Sequence, residues 1–255
     1  MIDTTPLQAY YGATFTANQH ILSMTPAKMI AYLQEQFNHV ENGTEFSDKT
    51  KLEKEFRLLL SESKETRVDG LEQKNLTMIR DGIADQLTIA YFLAFKVNGF
   101  EFEPLDLDIP APKSYSEFCD NTEATINKLS DACFKEDDIK AANYHLNYLI
   151  AQLYITPEFS AFNIDYDLTD TTFSSLSKIC TATDELTAIE VANKTLAAYL
   201  ERGYKAEIRE TAAGYGIFVL EDCTVKGEII PAGKFLKSLY LLDPVLADIK
   251  EDSVW

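Results

Sequence analysis

Basic side chains are scarce in this sequence. Lysine and arginine number 23 against 41 aspartates and glutamates, a formal net charge of −18 over 255 residues. So acidic a chain speaks against a protein that grips DNA or RNA by its phosphates, because like charges repel. A nucleotide remains an acceptable ligand, since a metal ion can mediate contact with its phosphates. Histidine is scarcer still: His20, His39 and His145 lie far apart with no shared motif, and no serine–histidine–aspartate set is visible. The four cysteines, Cys119, Cys133, Cys180 and Cys223, form no C-x-x-C pair and have no histidine nearby. Disulfides and zinc are therefore not expected, and free thiols of an intracellular protein are. Cys133 and Cys180 sit among apolar residues and read as packing.

Long apolar runs are missing too, so no membrane-spanning segment is expected. The N-terminus has no basic region followed by an apolar stretch, which leaves no signal peptide and makes the cytoplasm the expected location. Gly233-Lys234 is not a P-loop, because the upstream glycine and the strand–loop–helix pattern are both absent. Nothing supports a Rossmann cofactor site.

What is present is helical periodicity. Apolar residues make up 46% of the chain, ordinary for a globular protein, and 255 residues are long enough for one large domain or two small ones. Residues 1–24 are mixed and aromatic and read as an arm that docks on its own chain or on a partner. Thr25-Pro26 opens a helix that runs to about Val40, with Met29, Leu33, Phe37 and Val40 on one stripe. Glu41-Asn-Gly-Thr44 ends it. Further helices are expected over 51–65 and 71–97, separated by a turn at Arg67–Gly70, and the second is stopped at Asn98-Gly99. Residues 100–112 hold three prolines and read as an extended connector. Helices then follow over 116–134, 137–155, 169–180 and 185–202, with a turn at Phe162–Asp167. Tyr204–Arg209 and Ile217–Glu221 alternate and read as a β-hairpin, which residues 225–231 extend.

The fold expected is mainly α: a helical bundle of four to five core helices with a small C-terminal β-hairpin. The division expected is an N-terminal arm over 1–24, a helical domain over 25–203, and a hairpin with C-terminal segment over 204–255.

Two helices carry the chemistry. Glu62 and Glu65 are three apart and share a helix face; Asp81 and Asp85 are four apart and share another. On the second helix Leu76, Ile79, Ile83, Leu87, Ala90 and Ala94 form an apolar stripe, and the acids lie opposite it in line with Thr88 and Phe92. From Ile89 onward the helix is apolar nearly all round, so the acidic pair is expected to face another helix. Two such pairs can meet around a hard divalent cation such as Mg²⁺, which takes oxygen ligands. A solvated acidic face is the plainer reading of the same spacing. Glu117 and Asp131 read as surface charges.

These segments resemble the signature of the all-α nucleoside triphosphate pyrophosphohydrolases, the MazG-like and phosphoribosyl-ATP pyrophosphohydrolase-like proteins. That signature is E-E-x-x-E on one helix and E-x-x-D on the next. Here it reads Ser61-Glu62-Ser63-Lys64-Glu65 and Gly82-Ile83-Ala84-Asp85, with serine and glycine at two acidic positions. Asp81 resembles the D-x-x-x-D variant of phage-type members. Ser174-Ser175-Leu176-Ser177-Lys178 resembles a second family element, S-N-x-S-K. Gly233-Lys234-Phe235-Leu236-Lys237 resembles a third, G-K-x-L-K. The three occur in family order within residues 25–248.

The resemblance implies Mg²⁺-dependent hydrolysis, with Mn²⁺ as the substitute ion, of a nucleoside triphosphate to monophosphate and pyrophosphate. A deoxynucleotide is the expected substrate. Glu62, Glu65, Asp81 and Asp85 would hold the metal, with Glu62, Glu65 and Asp85 catalytic. Lys178, Lys234 and Lys237 would bind substrate. Taken alone, Lys178 is also explained as a helix C-terminal cation, and Lys234 and Lys237 as an exposed pair. The resemblance further implies a dimer or tetramer, placed in the host cytoplasm if phage-encoded. Ser61 and Gly82 favour the alternative, a catalytically weak or inactive scaffold that binds nucleotide or a protein partner.

Overall fold

The computed structural model describes residues 4–37, 46, 48–98, 102, 104–157 and 164–244. The expected roles of Val40, Glu41–Thr44, Gly99 and the start of the Phe162–Asp167 turn fall outside the described residues. The chain is mainly α-helical with a small antiparallel sheet near its C-terminal end. Residue contacts gather it into two compact units; one change of unit falls at 24/25, none falls at 203/204, and residues 1–24 share a unit with the sheet. One holds Thr25–Ala31, Glu41–Leu168 and Leu246–Trp255; the other holds Met1–Met24, Tyr32–Val40 and Thr169–Val245.

The first unit is a four-helix bundle. Its helices are α3 (Lys49–Glu65), α4 (Leu76–Asn98), α5 (Tyr115–Phe134) and α6 (Ile139–Tyr154). Helix α3 packs on α4 and α5, and α6 packs on α4 and α5, so the four close a ring. The core follows the predicted stripe of α4: Ile79, Ile83, Leu87, Ala90 and Ala94 are fully buried, joined by Leu59, Leu129, Leu146 and Leu149. The first half of α2 (Pro26–Gln36) adds Ala27 and Ile30. Ser114 caps α5 through the Glu117 N–H, and Asp138 caps α6 through the N–H groups of Lys140 and Ala141. Residues 104–112 are irregular, as expected of the proline-rich connector.

One expectation in this unit is corrected. Arg67–Gly70 is not a turn: α3 runs on into a π-helical segment, Thr66–Leu71. The Glu72 N–H reaches the Arg67 carbonyl (2.9 Å), five residues back as a π-turn requires. The break comes later, where Lys74 takes a left-handed φ of 50° and Asn75 caps α4 through the Met78 N–H. Helix α4 therefore starts at Leu76 and not at Leu71.

The second unit contains α1 (Thr5–Asn18), the end of α2, most of α7 (Ile164–Leu176), α8 (Ala188–Glu201) and the strands. Residues 5–18 are helical, kinked at Gly12, and bury Leu7, Tyr11 and Phe15, so this stretch docks on its own chain. Strand β1 (Ala206–Thr211) pairs antiparallel with β2 (Gly214–Val219), whose other edge takes β5 (Phe235–Leu236). Residues 225–231 do not extend that hairpin. They belong to a separate ribbon, β3 (Cys223–Val225) with β4 (Glu228–Ile230), closed by Lys226 and Gly227. Both turn residues have positive φ, which suits a tight hairpin. Helix α8 covers the sheet, burying Val191 and Ala192 with Ile217, Val219 and Leu236. All four cysteines are free and buried.

Candidate functional site

Helices α3 and α4 run antiparallel, and small side chains set how closely they approach. The Gln86 amide donates to the Thr66 hydroxyl (2.9 Å), which donates in turn to the Glu62 carbonyl (2.7 Å). Gly82 sits directly against Thr66: a β-carbon there would lie 2.1 Å from the hydroxyl oxygen. Further along, Lys96 and Glu55 form a largely buried ion pair at 3.8 Å. These contacts place the end of α3 beside the beginning of α4.

That register gathers the four predicted acids. Glu62 is half-buried, and its carboxyl is pushed up to about 7. The main cause is burial, followed by the negative charges of Asp85 and Glu65, a hydrogen bond shared with Glu65, and the charge of Asp81. A carboxylate beside three others is costly to ionise unless a proton or a cation compensates. Asp81 and Asp85 are half-buried and Glu65 is exposed, so the cluster opens to solvent on the α3 side. Next to Asp85, the Gln86 Oε1 is buried and takes no hydrogen bond.

Among the described residues, no three histidine, cysteine, aspartate or glutamate side chains stand together as a preformed metal cage. The donor set nevertheless fits a hard cation: it is all carboxylate. Mg²⁺ needs only one or two such ligands when substrate phosphates and water complete its shell.

The predicted lysines belong to the other unit. Lys178 lies just beyond α7, half-buried, with its ammonium 3.5 Å from the Ser175 hydroxyl and its carbonyl accepting the Ser238 N–H (2.7 Å). The serines of the same motif serve the fold. Ser174 donates to the Leu242 carbonyl, and Ser177 shares its proton between the Ser174 (2.6 Å) and Leu242 (3.1 Å) carbonyls while accepting the Leu242 N–H. Lys234 and Lys237 have exposed side chains, while their carbonyls take the Val219 N–H and the Tyr199 hydroxyl. Glu117 is exposed at the α5 cap, and Asp131 pairs with Lys135 (2.7 Å).

Two features near the acids were not read from the sequence. Arg67, in the π-helical segment, is held by Asp120 (2.7 Å) and Glu123 (2.5 Å) of α5. Arg80, next to Asp81, is 3% exposed. Arginines beside an acidic motif were the available signal for both. No described helix is long and apolar enough to cross a membrane. No family model matches the chain, and no curated protein or solved structure matches it either.

Proposed function

We propose that this chain hydrolyses a nucleoside triphosphate to monophosphate and pyrophosphate, with Mg²⁺ held by Glu62, Glu65, Asp81 and Asp85. The observation that carries the reading is the Glu62 carboxyl, half-buried among three other acids and raised to about 7. A protein rarely gathers carboxylates on a bundle seam without a counter-charge. The motif resemblance supplies the reaction class. Bound there, the ion would neutralise phosphate charge and lower the pKa of a coordinated water. The residues' own part is to bind and to move a proton. A carboxylate of this cluster that is left off the ion would take the proton of the attacking water. The α–β phosphoanhydride bond then breaks, and pyrophosphate leaves. Asp85 and Glu65 keep the site negative and so hold the cation.

A second reading is a non-catalytic scaffold that binds nucleotide or a protein partner. It draws on Gly82, where the family signature has glutamate: against Thr66 there is no room for a side chain.

A nucleotide panel separates the two. Each common NTP and dNTP is incubated with and without Mg²⁺ and assayed for pyrophosphate, beside Asp85→Ala. Release that requires Mg²⁺ and disappears in Asp85→Ala is the expected result. Mg²⁺-dependent nucleotide binding without release selects the scaffold. Neither binding nor release overturns both.

A further inference from the structure

Between Ile79 and Val97 the accessible surface of α4 narrows to one line. Asp81, Asp85, Thr88, Phe92 and Lys96 are half-buried, and every other side chain is buried. Their spacing of four, three, four and four residues keeps them on one helical face. The facing line on α3 is Glu65, Glu62, Leu58 and Glu55. Two of its points are fixed: Glu62 lies in the field of Asp85, and Glu55 sits 3.8 Å from Lys96. Leu58 falls between them in sequence, which by helical rise brings it to about the level of Thr88 and Phe92, and it is 41% exposed. The seam is thus acidic at one end, closed by an ion pair at the other, and interrupted between them by an aromatic ring and a leucine.

A single exposed leucine means nothing by itself. Here the apolar interruption stands beside the acids at a meaningful distance. Phe92 is seven residues beyond Asp85, about 10 Å along the axis at 1.5 Å per residue. That is comparable to the reach of a nucleotide from its phosphates to its base. Between them, the Thr88 hydroxyl spends its proton on the Ala84 carbonyl (2.9 Å). Its remaining lone pairs can only accept, which suits a sugar hydroxyl.

We infer that Leu58, Thr88 and Phe92 form the base-and-sugar subsite of a nucleoside polyphosphate whose phosphates lie at the acidic end. The inference rests on the proposed metal–phosphate reading of that end. Phe92 offers a ring surface on which any nucleobase can lie, Leu58 covers it from α3, and Thr88 accepts from the sugar. Inorganic polyphosphate would use only the acidic end.

The test compares the four dNTPs with inorganic tripolyphosphate and with Mg²⁺ alone, by calorimetry on the full chain. Wild type is expected to bind at least one dNTP about tenfold or more tighter than tripolyphosphate. Phe92→Leu, which keeps apolar volume but removes the flat ring, is expected to weaken dNTP binding about five- to tenfold, within the range seen for lost base stacking. Its affinity for Mg²⁺ and tripolyphosphate should not change. Leu58→Ala, at an exposed position, should act in the same direction and serves if Phe92→Leu folds poorly. Equal affinity of wild type for dNTP and tripolyphosphate overturns the subsite and leaves the metal–phosphate reading intact. So does an equal loss for both ligands in the variants. A wild type that binds neither Mg²⁺ nor tripolyphosphate overturns both.

Discussion

Gly82 and Thr66 meet so closely that a β-carbon on Gly82 would lie 2.1 Å from the Thr66 hydroxyl oxygen. The glycine therefore sets the approach of α4 to the end of α3, the spacing on which the acidic cluster depends.

Restoring the family-like acid here is expected to damage the protein. Gly82→Glu should destabilise it by about 1–3 kcal/mol or more, the usual cost of overpacking, and should not raise activity. Gly82→Ala should show the same sign. Thr66→Ala, which removes the clashing oxygen, should recover part of the Gly82→Ala loss in a double-mutant cycle. Urea unfolding of the four proteins measures this, and strictly additive effects would refute the close contact as the cause.

The acids predict a pH dependence in metal-free protein. Glu62 ordinarily titrates at 4.5 and is raised to about 7 in the fold. Between those values the folded state holds more protons than the unfolded one, so this contribution is present at low pH and is lost as pH rises towards 7. In EDTA, the thermal midpoint should fall across this window, and Glu62→Gln should flatten the fall. An unchanged slope in Glu62→Gln would remove Glu62 as the group responsible.

Mg²⁺ should oppose that loss. An ion that binds only the folded state stabilises by about 2.7 kcal/mol when present at roughly 100 times its Kd. At pH 7.5, Mg²⁺ should raise the midpoint of wild type, and EDTA should restore the original value. Asp85→Asn and Glu62→Gln should respond little. A shift of the same size in both variants would mean that the ion binds elsewhere.

The sequence made this seam legible because helix periodicity is local. The stripe from Leu76 to Ala94 could be counted, and so could the line of Asp81, Asp85, Thr88 and Phe92 on the opposite side. What stayed hidden depends on long-range contact. Gly70 looked like a turn residue, yet it lies in the π-helical segment, tight against Ile79: a β-carbon there would sit 2.5 Å from the Ile79 side chain. Asn75 looked like a helix interior residue until the left-handed Lys74 exposed it as a cap. Ser174 and Ser177 belong to a stretch that looked like a family element. They hold the backbone at Leu242, some 65 residues away. Residues 225–231 alternate as a continuation of the hairpin would, and only pairing reveals a separate ribbon.

Docking of the N-terminal stretch was expected from its aromatic residues, but not its anchor, which lies 159 residues away. The Tyr11 hydroxyl shares its proton between Asp170 Oδ1 (2.5 Å) and the Asp243 carbonyl (3.1 Å), and Asp170 is fully buried. The Tyr11 ring also stacks on Phe173, 5.8 Å between centroids. Tyr11→Phe keeps the stack and deletes the hydroxyl, isolating the hydrogen bond. A bond to a buried carboxylate is worth about 1.5–3 kcal/mol, so Tyr11→Phe should destabilise by that amount. Tyr10 is 44% exposed, and Tyr10→Phe should change stability by less than about 0.5 kcal/mol. Denaturant unfolding of both variants makes the comparison. Equal effects would show that α1 is held by its apolar side chains alone, with no contribution from the Tyr11–Asp170 bond.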